Sequence, residues 1–487
     1  MNRLSSQAAV RTLRPLRTLI AIGLALTLAA CADMGNIKPQ SHTLDAAKLN
    51  AGSAIKAASA PVQWPTEQWW EALHDPQLNQ LVAAALADNP NLHVAQARVR
   101  MARSLAGVAE SAGQVHVEAQ AASTRSLYSN DGTVPPPLNG AYAWLNTATV
   151  SASYNLDLWN RDRDALAAAL DDVQLASAEA QMARLALETA IVRSYIQLSY
   201  EFALQDTVRD SLAQRQRILD ITRRRKAAGL ASDIDVTSIE TTLPAGRREH
   251  EQAGEAIALL RNQLAALIGK GPGDGESIAR PTLTLDHPVA ALPSALPAEL
   301  VGRRPDIAAQ RWRVEAAGQR INVAKAAFYP NINLMAYAGF EAFGFSNFLN
   351  AESAVRGVGP AISLPIFDGG RLRSQLGGQT AVYDGAVEQY NATVVQALSE
   401  VANAVTRIES AQEQNRLTQH ALASAEKAHQ LADRAYRAGM TDSLNELNTR
   451  IALLHEEQQV ARINSLQLDN YATLMAALGG GIKLDLP

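Results

Sequence analysis

The 487-residue chain contains a single cysteine, Cys31, so no internal disulfide can form. Aromatic residues make up only 5 %, against 47 % hydrophobic residues overall. The apolar share is therefore mostly alanine, leucine and valine, which suits long, closely packed helices more than a many-stranded sandwich. No internal run approaches the roughly 20 apolar residues that a membrane-spanning helix requires, so any bilayer crossing must be made by strands. Signatures of chemistry are also missing. Gly271-Pro272-Gly273-Asp274-Gly275 lacks the Lys-Ser/Thr of a phosphate-binding loop, and His455-Glu456 lacks a second histidine at zinc-protease spacing. The nine histidines are scattered, no Ser/His/Asp arrangement has a local signature, and neither a metal nor another cofactor is expected. The formal charge is −4, and the four arginines among the first thirty residues leave the remainder more acidic still. An acidic body excludes nucleic acid as the partner.

What is present begins at the N-terminus. Arg11, Arg14 and Arg17 precede the short apolar run Leu19 to Ala30, and Leu28-Ala29-Ala30-Cys31 follows. A basic region, an apolar region and small residues in that order describe a secretory signal over 1–30. The Leu-Ala-Ala-Cys ending resembles the bacterial lipobox, which implies cleavage before Cys31 and acylation of Cys31. A lipidated segment over 31–75 would then be held at a membrane surface. Ala32, in place of aspartate, favours outer-membrane sorting within that resemblance.

The body is written twice. Asn89-Pro90-Asn91-Leu92 opens one alanine-rich helical stretch and Arg304-Pro305-Asp306-Ile307 opens another. Asp157-Leu158-Trp159 precedes one long helical run, Arg161 to Ala228, and Pro365-Ile366-Phe367 precedes the other, Arg371 to Ala438. Gly229-Leu230 breaks the first run and Gly439-Met440 the second. Val387, Val394, Val401 and Ile408 recur at sevens, as do Val173, Ala180 and Leu187, the spacing of coiled-coil packing. Each run would extend on the order of 100 Å, too long for a compact domain. The expected organisation is a first repeat over 76–270, a Pro/Gly-rich linker over 271–297, a second repeat over 298–480 and a tail over 481–487. Pro244 and Gly246 predict a disruption in the helix that follows the first glycine turn.

Four segments of about ten residues, the length of a bilayer-crossing strand, alternate apolar with small or polar residues. They lie near 114–123, 148–158, 331–341 and 356–366. Each pair is joined by a polar loop of the kind suited to the outside of a barrel. A spanning barrel needs at least about 8 strands, so four imply that several copies share one barrel, without choosing between two and three.

Several stretches together resemble the TolC-type outer-membrane efflux factors, especially the lipoprotein branch serving RND-type pumps. These are Trp69 to Arg98, Arg303-Arg304-Pro305-Asp306-Ile307, Phe328-Tyr329-Pro330 and Leu364-Pro365-Ile366-Phe367-Asp368-Gly369-Gly370, with the duplicated glycine turns. The resemblance implies a mainly α fold whose homotrimer shares a 12-stranded β-barrel above a long periplasmic helical barrel. It implies a passive duct and not an enzyme, working with a periplasmic adaptor and an inner-membrane RND-type transporter. On that resemblance Gly229, Leu230, Ala231, Ser232, Gly439, Met440, Thr441 and Asp442 form the adaptor-docking tips. Leu444, Glu446 and Asn448 lie at the narrow end as candidate gate residues; the family often has an acid where Asn448 stands. The residues themselves describe two well-capped hairpins: cations in each last turn, glycine closers, and capping boxes at Ser232/Asp235 and Ser443/Glu446. An adaptor would carry one hairpin flanked by small β-domains, and a secreted hydrolase would need a catalytic constellation; the duplication and the missing constellation disfavour both. The exported substrate is not encoded in any local motif, and the seven methionines form no cluster.

Overall fold

In a computed structural model, residues 33–50, 64–284 and 302–482 are described. Cys31, the signal segment and part of the expected linker lie outside them. The first repeat contains α1 (Pro76–Asp88), α2 (Pro90–Ser111), β1 (His116–Leu127), β2 (Tyr142–Leu156), α3 (Arg161–Ala227), α4 (Asp233–Glu240) and α5 (Thr242–Leu267). The second contains α6 (Pro305–Ala326), β3 (Asn331–Phe343), β4 (Ala354–Ser363), α7 (Arg371–Arg437) and α8 (Ser443–Ala477). A single helical turn, Pro272–Gly275, interrupts the linker. The chain divides into two compact units, one made of the residues up to Thr43 with Arg100–Leu175 and Gln310–Gln389, the other of Leu44–Val99, Ala176–Ala309 and Tyr390 onward.

The first unit is built on one antiparallel sheet ordered β1-β2-β3-β4. Strand bounds differ from the alternation pattern. β2 starts earlier, at Tyr142, because its loop end pairs with β1 as far as Leu127. β4 runs from Ala354 to Ser363, starting earlier and ending earlier than the alternation suggests. Ile321, Phe328, Leu372 and Leu376 form a small core here, with Met34 and Ile37 packed against it. Asp384 on α7 accepts from the amides of Gln40 (2.9 Å) and Ser41 (3.0 Å), and Arg373 pairs with Asp33 (2.8 Å). The N-terminal segment is thus tied along α7.

The second unit holds the main core. Trp69 and Trp70, which read as a loose segment in the sequence, are buried with Leu78, Val82, Ile191, Tyr195, Leu264, Val401, Tyr471 and Leu474. Two of its polar groups are paired, Tyr471 donating to the Trp69 carbonyl (2.9 Å) and Tyr195 to Asp75 (3.0 Å), while the Trp69 indole N–H is buried without a hydrogen-bond partner among the described residues. Val394 and Val401 of the heptad row are buried and Ile408 packs partly against the core.

The duplication extends to a joint between helices. Asn89, which opens α2, donates to the Leu267 carbonyl at the end of α5 (2.8 Å), and Arg304, which opens α6, donates to the Ala477 carbonyl at the end of α8 (2.9 Å). Gly269 and Gly479 close α5 and α8 with φ of +76° and +93°, and a Cβ on either would strike the backbone of Asp88 or Arg303. Only glycine fits both the conformation and the space. The expected disruption near Pro244 is present as the break at Thr241 between α4 and α5. Proline at the third position of α5 needs no intrahelical partner, whereas an unbroken helix would clash with the Glu240 carbonyl. Gly246 has a separate reason: a Cβ there would lie 2.6 Å from the Leu212 side chain.

Candidate functional sites: two helical tips and a two-faced sheet

The tips in the second unit form from local rules. Helix α3 ends on Arg224, Arg225 and Lys226, cations that suit the negative end of the helix dipole. Gly229 (φ +74°) reverses the chain while its amide bonds the Lys226 carbonyl (2.9 Å) and the Leu230 amide bonds the Arg225 carbonyl (2.8 Å). Gly439 (φ +68°) repeats this, with its own amide on Tyr436 (2.9 Å) and the Met440 amide on Ala435 (2.8 Å). This paired arrangement satisfies the orphan carbonyls of a helix end. Helix α4 restarts from a capping box: Ser232 accepts from the Asp235 amide (3.3 Å) and Asp235 from the Ser232 amide (2.7 Å). Hydrogen bonds donated by the Ser232 amide and hydroxyl to the carboxylate hold Asp235 below its ordinary range.

The second tip corrects one expectation. The cap of α8 is Asp442, which accepts from the Asn445 amide (3.2 Å), and Ser443 is already the first helical residue. Asp442 has the extended backbone a cap requires and a carboxylate aimed at the helix N-terminus, so no Ser443/Glu446 box forms. Glu446 instead lies 3.8 Å from His429. Between the tips, Arg225 donates to Asp442 at 2.8 Å, a link the sequence did not single out. The available signal was a basic crowd at one turn facing an acid at the other.

Around these turns Gly229, Ser232, Gly439 and Asp442 are exposed, while Ala231 and Thr441 are half-buried. Leu230 and Met440 are 70 % and 81 % exposed, and nearby Ile234 is 79 % exposed. Apolar side chains so open at the apex of a hairpin contribute nothing to the fold beneath them; that role falls to Leu219, Val236 and Leu243. Leu444 and Glu446 are half-buried and Asn448 is exposed, with Leu447 as the buried residue of that turn.

The sheet of the first unit sorts its side chains by face. The register aligns Val117, Ala152, Ala336 and Val358 in one row and Ala119, Val150, Ala338 and Arg356 in another. Leu334 and Tyr154, then Ile332, Leu156 and Ile362, continue the same face. The opposite face carries His116, Glu118 and Gln120 against Ser153, Ser151 and Thr149. The first face is mainly apolar on all four strands, as lipid outside requires, whereas the second is mainly polar on β1 and β2 and takes Met335, Tyr337 and Phe343 from β3. Val117, Val150, Leu334, Val358 and Ile362 are all exposed, an open apolar patch that calls for lipid or a partner. β1 and β4 each have one edge without a neighbour among the described residues.

No helix among the described residues is long and apolar enough to cross a membrane. None of their His, Cys, Asp or Glu side chains gathers in a group that could hold a metal ion.

Comparison with known proteins gives a consistent result. The outer membrane efflux protein family matches residues 81–270 and 296–480. The fusaric acid resistance protein FusA of Burkholderia cepacia is 44 % identical over 368 residues, covering 74 % of this chain and 69 % of FusA. The multidrug resistance outer membrane protein MdtP of Escherichia coli K12 is 28 % identical, covering 95 % of this chain and 96 % of its own. Among solved structures, the outer membrane protein VceC of Vibrio cholerae superposes with a TM-score of 0.79 at 35 % identity, over 86 % of this chain and all of VceC. The outer-membrane channel OprN gives 0.80 at 28 % identity, over 91 % and 99 %. The mainly α architecture is therefore that of the TolC-type channels, which are ducts and not enzymes. The chain belongs to the outer membrane efflux protein family.

Proposed function

We propose that three copies of the chain close one 12-stranded barrel in the outer membrane and that their helices form a periplasmic tube, making a passive exit duct of a tripartite efflux pump. The carrying observation is the sheet: four strands with one mainly apolar face, a more polar opposite face and, among the described residues, two unpaired edges. Open edges are not tolerated in hydrocarbon, so sister chains must supply the missing ladders. Two repeats, 76–270 and 298–480, each contribute one hairpin to the barrel and one helical tip. Acyl chains on Cys31 fix the start of the mature chain to the same membrane. The sequence carries no phosphate-binding loop, and on this reading a proton-driven inner-membrane transporter of the RND type does the work and a periplasmic adaptor joins the two.

On this reading the tips Gly229–Ser232 and Gly439–Asp442 receive the adaptor. Contact there separates Arg225 from Asp442 and opens the ring formed by Leu444, Glu446 and Asn448. The cargo is a small molecule, in keeping with the resistance names carried by FusA and MdtP. The test is assembly. Protein extracted in mild detergent should have three times the mass of the chain and conduct in planar bilayers; a lone protomer, or a wild-type protein that never enters bilayers, ends the reading. Labelled palmitate should appear on the wild-type chain and be absent from Cys31→Ser.

A further inference from the structure

The strands carry few charges, and the register sorts them by sign. On the polar face stand Glu118 and Glu341; on the apolar face stand Arg125 and Arg356. Arginine toward lipid costs about 2–4 kcal/mol at the midplane of a bilayer and about 0–1 near its surface. Both arginines occupy the cheap position, two residues from the loop end of their strands: Arg125 in β1, which ends at Leu127, and Arg356 in β4, which begins at Ala354. Neither has a carboxylate within ion-pair range among the described residues, so each presents its guanidinium outward uncompensated.

The surroundings of Arg125 match a membrane surface. Its cross-strand neighbour is Trp144, and its guanidinium lies 5.5 Å from the centre of the Tyr142 ring. Trp144 in turn packs on Phe345 with ring centres 5.7 Å apart. Tyrosine and tryptophan side by side at one level form the belt that proteins place among lipid headgroups. A guanidinium held over such a ring, with its fork of donors open, offers the bidentate geometry that suits phosphate.

We infer that Arg125 and Arg356 hold phosphates of an anionic lipid in the leaflet on the loop side of the barrel. This rests on the proposal that the strands cross the membrane. The lipid phosphates neutralise the two cations where the apolar face meets water, so the barrel carries a fixed shell of charged lipid at one rim. Arginine here is not a tolerated exception on the lipid face but the part that selects lipid headgroup.

The test uses the full-length lipidated trimer in nanodiscs of phosphatidylcholine, with doubly phosphorylated lipid A added as the probe. Lipid A retained after detergent exchange is measured by native mass spectrometry. Wild type should retain it at least tenfold better than R125Q/R356Q. Lipid A stripped of its phosphates should not be retained, and excess inorganic phosphate should not displace the intact lipid. Equal retention by wild type and the double variant, or retention indifferent to the lipid's phosphates, overturns the inference. Full displacement by inorganic phosphate overturns it too, because the site would then bind a free anion. R125Q and R356Q are measured singly, each expected to lose part of the retention, so poor assembly of the double variant leaves the test intact. Bilayer conductance is recorded in parallel: channels that conduct but ignore lipid A sink only this inference, whereas a wild-type protein that never conducts sinks the membrane-crossing proposal itself.

Discussion

Glu188 shows how one buried carboxylate sets a pH dependence. It sits on α3 with its side chain 1 % exposed, 2.8 Å from Arg184, which also reaches Glu67 at 3.0 Å. Burial outweighs the Arg184 contacts and pushes its pKa up from 4.5 to about 7, with Glu67 adding repulsion. The raised value means that the folded chain holds the proton more tightly than the unfolded chain. Acidification from about pH 7 toward 4.5 therefore stabilises the fold, and ionisation above that window removes the gain. Across the window the single site is worth on the order of 3 kcal/mol. The melting temperature should rise as pH falls from 7.5 to 5.5, and Glu188→Gln should flatten that rise. An unchanged slope in the variant would mean that the proton is bound elsewhere. At the tips, Gly229→Ala and Gly439→Ala place a side chain at positive φ, at a cost of about 1–2 kcal/mol each. Neither glycine has a heavy atom within 4 Å of its hypothetical Cβ, so the cost is conformational and not steric.

Among the elements, the hairpins were the most legible in the sequence, and for a local reason. Cations, glycine, cap and acid all lie within one turn of each other, so Gly229, Gly439 and the Ser232 box follow from near-neighbour chemistry alone. The same rule favoured Ser443 as a cap and missed that Asp442, one residue earlier, outcompetes it. The burial of Trp69 and Trp70 was not legible because it depends on Tyr471, some 400 positions later in the chain. The Arg225–Asp442 link is of the same non-local kind. It also yields a prediction: Asp442→Ala removes both the α8 cap and the link between tips, and should raise passive conductance, as should smaller residues at Leu444 and Asn448. Arg225→Ala separates the two effects, since it spares the cap; silent channels in Arg225→Ala would deny the link a gating part. Leu230→Asp with Met440→Asp leaves the Leu219, Val236 and Leu243 core untouched. If the tips dock an adaptor as proposed, the oligomeric state should be unchanged while adaptor cross-linking and export fall at least tenfold; full export in that variant would remove docking from these turns.

At the level of the whole molecule, the faces of the sheet carry opposite charge for a reason that belongs to assembly. In the proposed barrel a lumen would be shared by all copies, so whatever one chain places on its second face would be multiplied around the ring. Glu118 stands opposite Ser151, and Glu341 opposite Thr147, with no lysine or arginine on that face of the strands. Three copies would line the barrel with six carboxylates, and rings of acid favour cations in a pore. Potassium should therefore carry more of the current than chloride in planar bilayers under a salt gradient, with a reversal potential on the cation side. Glu118→Gln combined with Glu341→Gln should move that potential toward zero while conductance stays within about twofold, because the variants keep side-chain volume and remove only charge. A reversal potential unmoved in the double variant would place the selective ring outside the barrel, and the helical tips, where Glu446 and Asp442 are multiplied in the same way, would become the next residues to neutralise.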